Sequence, residues 1–244
     1  MKKIIALVMA LMMLGCAALA GAEGITTLEK GKFIYSTSPD FPPFEYTDDD
    51  GNIIGIEPEL IAIICEKIGL VAEPLPMDFD GALEAAQSGK SDAVVSGVTV
   101  TEPRKLVYDF SNPYTTIIQA IVSKDGKVTM EDLPNVVIGV QRGTTGHIYA
   151  EDDYKNVTVY DTYSLAFQAL QNGQVDCVLL DDAVANAYVK KLPGLGMQAT
   201  TYPVEEYAFG IAKGNTSLLD AINQALAELI EDGTVQAIID KYNE

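Results

Sequence analysis

Leu83-Glu84-Ala85-Ala86-Gln87-Ser88-Gly89-Lys90-Ser91-Asp92-Ala93-Val94 and Phe167-Gln168-Ala169-Leu170-Gln171-Asn172-Gly173-Gln174-Val175-Asp176-Cys177-Val178 are two copies of one unit. Leu83, Ala85, Gln87, Gly89, Asp92 and Val94 match Phe167, Ala169, Gln171, Gly173, Asp176 and Val178, each pair 84 positions apart. Both copies read as helix, glycine stop, aspartate and buried strand. Each sits in a wider alternation of strands and helices, which implies a mostly parallel sheet with helices on both faces. Used twice, the unit predicts an α/β fold of two Rossmann-like lobes.

Around the first copy, Phe33 to Thr37 is a strand. Tyr46 to Ile56 is a hairpin turning at Asp50-Gly51. Pro58 to Ile68 is a helix stopped by Gly69, and Asp80 to Ser88 is a second helix. Ala93 to Val98 is an apolar strand. Thr101-Glu102-Pro103 opens a short helix, with Thr as cap and Pro in the first turn. Around the second copy, Val136 to Val140 and Val157 to Tyr160 are strands, and Gly143-Thr144-Thr145-Gly146 opens a helix to about Ala150. Thr162 to Gln171 is a helix, and Val175 to Leu180 a strand. Leu218 to Tyr242 is helical and covers the second face of lobe one. The expected organisation is lobe one from 25–114 plus 210–244 and lobe two from 119–204. Crossovers at 114–119 and 204–210 form a two-segment hinge, with closure as the motion.

The 244 residues carry 16 Lys+Arg against 35 Asp+Glu, a formal charge of −19. Such acidity argues against nucleic acid and anionic lipid as partners, because both need a basic face. Three Cys and one His are too few for a zinc framework, and neither metal nor cofactor is expected. Lys2 and Lys3, the apolar run Ile4–Leu14 and Ala18-Leu19-Ala20 read as a signal peptide over 1–20. Leu14-Gly15-Cys16 also resembles a lipoprotein site, with cleavage after residue 15 and lipidation of Cys16. Either reading exports the chain, to the periplasm or to the outer face of the membrane. Removing Lys2 and Lys3 brings the charge to about −21. Cys65 and Cys177 fall in different lobes and read as two buried small hydrophobes.

Ligands of such sheets bind beyond the C-terminal strand ends, here Ser96-Gly97-Val98-Thr99 and Leu180-Asp181-Asp182. The chain has two arginines, Arg104 and Arg142. Arg104 just beyond an open Gly-Val-Thr loop makes a carboxylate site, in which backbone N–H groups, a Thr hydroxyl and the guanidinium share the anion. The alternative is a surface Arg paired with Glu102 or Asp109. Asp181 opposite it suits an ammonium group, so the pair suggests a zwitterionic ligand; the alternative is a helix cap by Asp181 or Asp182. Gly143-Thr144-Thr145 offers helix-opening N–H groups to an anion, without the Lys of a phosphate loop. Phe41 and Phe79 at strand ends sandwich a ligand side chain, or else pack in the core. His147 is a weak candidate base with Ser96 or Thr145, since no nucleophile elbow accompanies it. Asp48-Asp49-Asp50-Gly51 fails the EF-hand spacing and reads as a turn.

Phe41-Pro42-Pro43-Phe44-Glu45-Tyr46, Gly55-Ile56-Glu57-Pro58-Glu59-Leu60, Gly97-Val98-Thr99 with Glu102 and Arg104, Gly143-Thr144-Thr145, and Asp176 to Asp181 together resemble the family-3 extracellular solute-binding proteins of amino-acid ABC importers, which have the type II periplasmic binding fold. The resemblance runs from about Ile25 to the C-terminus. It implies Arg104, Thr99 and Gly97 at the ligand α-carboxylate with Thr144 or Thr145 beside them, Asp181 at the α-ammonium, and Phe41 and Phe79 around the side chain. Pro58 departs from the aliphatic residue usual there. Ser38 stands where binders of basic amino acids carry aspartate, and Gln141 where side-chain contacts are made, which favours a polar ligand. The implied protein is a monomer that binds a free amino acid and meets a membrane permease. The competing functions are a dehydratase of prephenate-like acids, with Glu45, Asp181 or His147 as acid, and a receptor sensor domain. The latter is disfavoured because no kinase or transmembrane segment follows within 244 residues.

Overall fold

The computed structural model describes residues 24–243; the leader and Cys16 lie outside the described residues. Two five-stranded sheets form the two lobes. The first runs Val71–Pro76, Lys32–Thr37, Ala93–Val94, Gly210–Ala212, Tyr108–Phe110. The second runs Val157–Tyr160, Ile138–Gln141, Cys177–Asp181, Gln119–Lys124, Leu195–Ala199. In each, the first three strands are parallel and the next pairs antiparallel. The sheets are therefore mixed rather than mostly parallel. The reason is the crossover: Gly210–Ala212 and Gln119–Lys124 each enter a sheet directly from the other lobe, without a helical connection to reverse them.

The two crossovers lie side by side. Thr115–Ile117 pairs antiparallel with Glu205–Tyr207 as a two-stranded ribbon between the sheets. A three-stranded hairpin sheet, Asp40–Phe41, Glu45–Thr47 and Ile53–Ile54, stands beside the first lobe. Its Asp48 carboxylate accepts the Asp50 and Asn52 N–H groups, so the aspartate run is a turn.

The repeat has a physical content. Gly89 and Gly173 both hold φ near +70° (73° and 72°) and end their helices in the left-handed region. The N–H one residue later returns to an equivalent carbonyl, Lys90 to Ala85 O and Gln174 to Ala169 O. Asp92 accepts the Ile34 N–H, and Asp176 accepts the Val137 N–H, at 2.9 and 2.7 Å. Each aspartate thus fastens the strand it precedes, Ala93–Val94 or Cys177–Asp181, to the neighbouring parallel strand Lys32–Thr37 or Ile138–Gln141.

The helices are Ile56–Ile68, Phe79–Gln87, Glu102–Lys105, Thr145–Asp153, Tyr163–Asn172, Asp182–Lys191, Thr216–Glu231 and Thr234–Asn243. Asp78, Thr101, Thr144, Thr162 and Asn215 cap five of them through their side-chain oxygens. The C-terminal helix expected over Leu218–Tyr242 is two helices, because Gly233 at φ 81° breaks it. Leu218, Ile222, Leu226 and Leu229 are buried in the main core with Leu60, Ile61 and Ile64. The paired strand at Ala93 ends at Val94, and Val95–Val98 curves away, buried but outside the ladder. Strands at Gln119–Lys124 and Leu195–Ala199 were not anticipated, nor was the extent of the Asp182–Lys191 helix, which begins at the acidic pair offered as a helix cap. Cys65 and Cys177 are buried and unbridged, and burial pushes both thiols up to about 12.

Candidate functional site

The C-terminal ends of the parallel strands meet across the interlobe cleft. The cleft is lined by Ser38, Asp40, Phe41, Phe79, Ser96, Gly97, Thr99 and Arg104 from the first lobe and by Gln141, Thr144, Thr145 and Asp181 from the second. Every residue singled out in the sequence as a ligand contact thus lines one cavity. Asp40 and Ser96 join them. Ser96 was read as part of its strand end and as a partner for His147, and Asp40 stands two residues beyond the Ser38 position.

Arg104 is 9% exposed, on a single-turn helix whose N-cap Thr101 accepts its backbone N–H. Its guanidinium donates to Thr99 O at 2.8 Å and, across the cleft, to Gly143 O at 2.9 Å. It lies over the Phe79 ring at 5.6 Å. The surface alternatives are filled by others: Lys105 pairs with Glu102 at 2.7 Å and Lys213 with Asp109 at 2.6 Å. Among the described residues no carboxylate pairs with Arg104. Burial lowers its pKa, and Glu205 and Asp181 nearby raise it again.

Asp181 is the N-cap residue of the Asp182–Lys191 helix by backbone position, yet its side chain caps nothing. Its carboxylate instead accepts from Gln119 Nε2 and from the Tyr207 hydroxyl. Burial, then the neighbouring Glu205, pushes its pKa up to about 7. Glu205 is itself 5% exposed and accepts from Thr145 Oγ1 at 2.8 Å. Glu205, Gln119 and Tyr207 escaped the sequence reading. All three belong to the crossover segments or the strand that follows them, and no spacing links them to Asp181.

Gly97 has a different part from the one expected. Its N–H donates to the buried Glu57 at 3.1 Å, so it is not free for a ligand carboxylate. The residue's contribution is room: a Cβ there would stand 2.5 Å from Phe41 Cε1 and 3.1 Å from Tyr207 Cε2, at a φ of +54°. Phe41 stacks between Phe44 and Tyr163, with centroids at 5.8 and 5.7 Å. It is therefore packed in the core and also forms part of the cleft wall.

Ser38 donates its hydroxyl to Asp40 at 3.0 Å and its N–H to Ser96 Oγ. Asp40 reaches over the cleft: Oδ2 accepts the Tyr163 N–H at 2.8 Å in the first turn of the Tyr163–Asn172 helix, and its carbonyl accepts the Tyr188 hydroxyl. Gln141 donates to Asp161 O at 3.2 Å. Thr144 caps its helix through the His147 N–H, and His147 Nδ1 accepts the Gly143 N–H. Ser96 Oγ donates to Glu45 rather than to His147, so these residues form no nucleophile–base pair. Among the described residues no Cys, His, Asp and Glu cluster has metal-site geometry, and no helix is long and apolar enough to cross a membrane.

A buried cationic pole at Arg104 faces a buried acidic pole at Asp181, with aromatic rings between the lobes. The family of bacterial extracellular solute-binding proteins, family 3, matches residues 33–244. The L-cystine-binding protein TcyJ of Escherichia coli K12 is 34% identical over 221 residues, 88% of this chain and 83% of its own. An ancestral arginine-binding protein bound to glutamine superimposes with a TM-score of 0.83 at 41% identity, covering 88% of this chain and 98% of that one. The arginine-, lysine-, histidine-binding protein ArtJ of Geobacillus stearothermophilus does so with a TM-score of 0.80 at 33% identity, over 86% and 94%. These relatives are substrate-binding proteins rather than enzymes. The chain belongs to the bacterial extracellular solute-binding proteins of family 3.

Proposed function

We propose that this protein is the exported binding component of an ABC importer and holds a free L-amino acid between its two lobes for delivery to a membrane permease. The observation that carries the reading is Arg104, a buried guanidinium with no carboxylate partner among the described residues, aimed into a cleft whose opposite wall holds Asp181. An α-carboxylate on Arg104 and an α-ammonium on Asp181 would join the lobes through the ligand, so that binding favours closure. Thr99, Thr144 and Thr145 would complete the carboxylate end, and Phe41 and Phe79 would flank the side chain. Charge-assisted hydrogen bonds contribute roughly 1.5–3 kcal/mol each. Two such poles and buried aromatic surface suffice for the about −8.2 kcal/mol of a micromolar Kd.

The cleft lining holds one guanidinium against the carboxylates of Asp40 and Asp181. A zwitterion leaves that imbalance, and a cationic side chain cancels it, so L-arginine should bind more tightly than L-glutamine. Calorimetry with L-arginine, L-glutamine and L-cystine tests this. Arg104→Ala should weaken the best ligand at least tenfold, and unchanged affinity would remove Arg104 from the site. Mass spectrometry of the secreted protein separates cleavage before Gly21 from lipidation at Cys16.

A further inference from the structure

Behind the cleft wall lie two carboxyl groups that do not line the cleft themselves. Glu45 on the hairpin and Glu57 in the first turn of the Ile56–Ile68 helix are both 0% exposed. The backbone sets them side by side, because Ile56 and Glu57 donate their N–H groups to Pro43 O and Phe44 O. Among the described residues neither has an ion pair. Two neighbouring buried carboxylates without a counter-ion are untenable, so one proton must be shared.

The hydrogen bonds say which group carries it. Glu57 Oε2 accepts the Gly97 N–H, Glu57 Oε1 accepts the Tyr114 hydroxyl, and the group stands in the positive first turn of a helix. Glu45 Oε1 accepts from Ser96 Oγ at 2.8 Å, but its buried Oε2 has no donor. An oxygen in that position is satisfied when it is an O–H donating to Glu57. Burial and then Glu57 push the Glu45 carboxyl well above its ordinary range. The other titratable groups around it, Asp40, Tyr35 and Tyr114, supply no positive charge.

We propose that Glu45 and Glu57 are an acid–carboxylate pair sharing one proton, and that the pair is a positioning device. It sets the Ser38–Ser96–Gly97 wall of the cleft and ties that wall to the crossover ribbon through Tyr114. The chain of contacts is continuous. Ser38 N–H donates to Ser96 Oγ, which donates to Glu45; Gly97 N–H and Tyr114 OH both end on Glu57. Tyr114 immediately precedes the Thr115–Ile117 crossover strand, and its ring stacks on Phe209 at 5.1 Å beyond the other crossover strand. Glu45 and Glu57 act through these groups and are positioning residues for the amino-acid binding proposed above, on which the second half of this inference rests.

The test uses the exported chain without its leader. In the ligand-free protein, a buried acid that keeps its proton costs stability as pH rises from the ordinary glutamate range of about 4.3 towards its folded value. Glu45→Gln keeps an N–H donor towards Glu57 and removes the titration. Its melting temperature should gain on wild type by several degrees, roughly 3–8 °C, between pH 5 and pH 8. A gap that does not change with pH overturns the shared proton. Infrared difference spectra of wild type against Glu45→Gln should show the carbonyl band of a protonated acid; spectra of the unsubstituted protein at pH 7 without any such band overturn it even if the variant fails to fold. With L-arginine as probe, Glu45→Gln should bind within about threefold of wild type, whereas Glu57→Gln, which replaces an acceptor by a donor, should lose about tenfold. Equal affinities for all three proteins overturn the positioning role. If wild type binds no amino acid at all, the proposed function fails while the melting and infrared experiments still decide the pair.

Discussion

Replacing Asp181 by Asn should stabilise the empty protein and cripple its binding, and the size of the first effect follows from the site. Asp181 is buried, with Glu205 as its neighbour and a pKa pushed up to about 7 by desolvation. In the unfolded chain an aspartate titrates near 3.9. The folded chain therefore binds the extra proton, and stability that is full below about pH 4 is lost as pH rises through 7. At about 1.36 kcal/mol per unit, the whole loss is about 4 kcal/mol, of which about 3 kcal/mol develops between pH 5 and pH 8. Asn at 181 still accepts from the Tyr207 hydroxyl and carries no charge, so its stability lacks this slope. Urea unfolding of both ligand-free proteins at pH 5 and pH 8 measures the gap, which should widen by about 3 kcal/mol at the higher pH. An ammonium ligand reverses the sign of the substitution: L-arginine should bind the variant about ten- to a hundredfold more weakly at pH 8. A stability gap of the same size at both pH values refutes the account of Asp181 as a desolvated acid beside Glu205. On the proposed function, the buried acid trades stability for a ligand site.

Two further outcomes follow from the cleft. Gly97→Ala adds a Cβ 2.5 Å from the Phe41 ring at a left-handed φ, so it should lose about 1–2 kcal/mol in the backbone and a further 1–3 kcal/mol by overpacking. Gly89→Ala, with a φ of +73° but nothing within 4 Å, should lose only the first part in the same urea titration; equal losses would mean that the Phe41 contact relaxes freely. Asp40→Ala removes the carboxylate that meets the Tyr163 N–H across the cleft, and the closed form should lose roughly 1.5–3 kcal/mol. Small-angle scattering with saturating L-arginine should then show a larger radius than wild type, and an unchanged radius would show that Asp40 does not hold the lobes together.

The local signals in this chain were legible because their physics spans only a few residues. A glycine at φ near +70° ends each repeat helix, and the aspartate three residues later fastens two strands. Thr101, Thr144 and Thr162 cap helices within three residues of themselves. Such units put residues at strand ends by topology alone, which is why Arg104, Thr99 and Asp181 could be named as candidates from the repeat, whereas Gln141 was named from the family resemblance. Even the alternatives offered for Arg104 were local ones, and Lys105 and Lys213 turned out to occupy those partners.

What the sequence alone determined was thus the doubled unit, the two poles of the cleft and the aromatic rings beside them. Only the tertiary structure decided how the poles are tuned. Gln119, Glu205 and Tyr207 reach Asp181 because the two crossovers pair as a ribbon beneath it. Gly97 gives its N–H to Glu57 because the hairpin lays a helix start against the loop, 40 residues away along the chain. The sheets are mixed because a strand arriving from the other lobe has no helix to turn it round. In each case the deciding contact joins segments far apart in sequence, and the polar groups involved are buried only once the lobes are assembled. Their charges and protons are therefore properties of the packed molecule, fixed by desolvation that no stretch of sequence carries by itself.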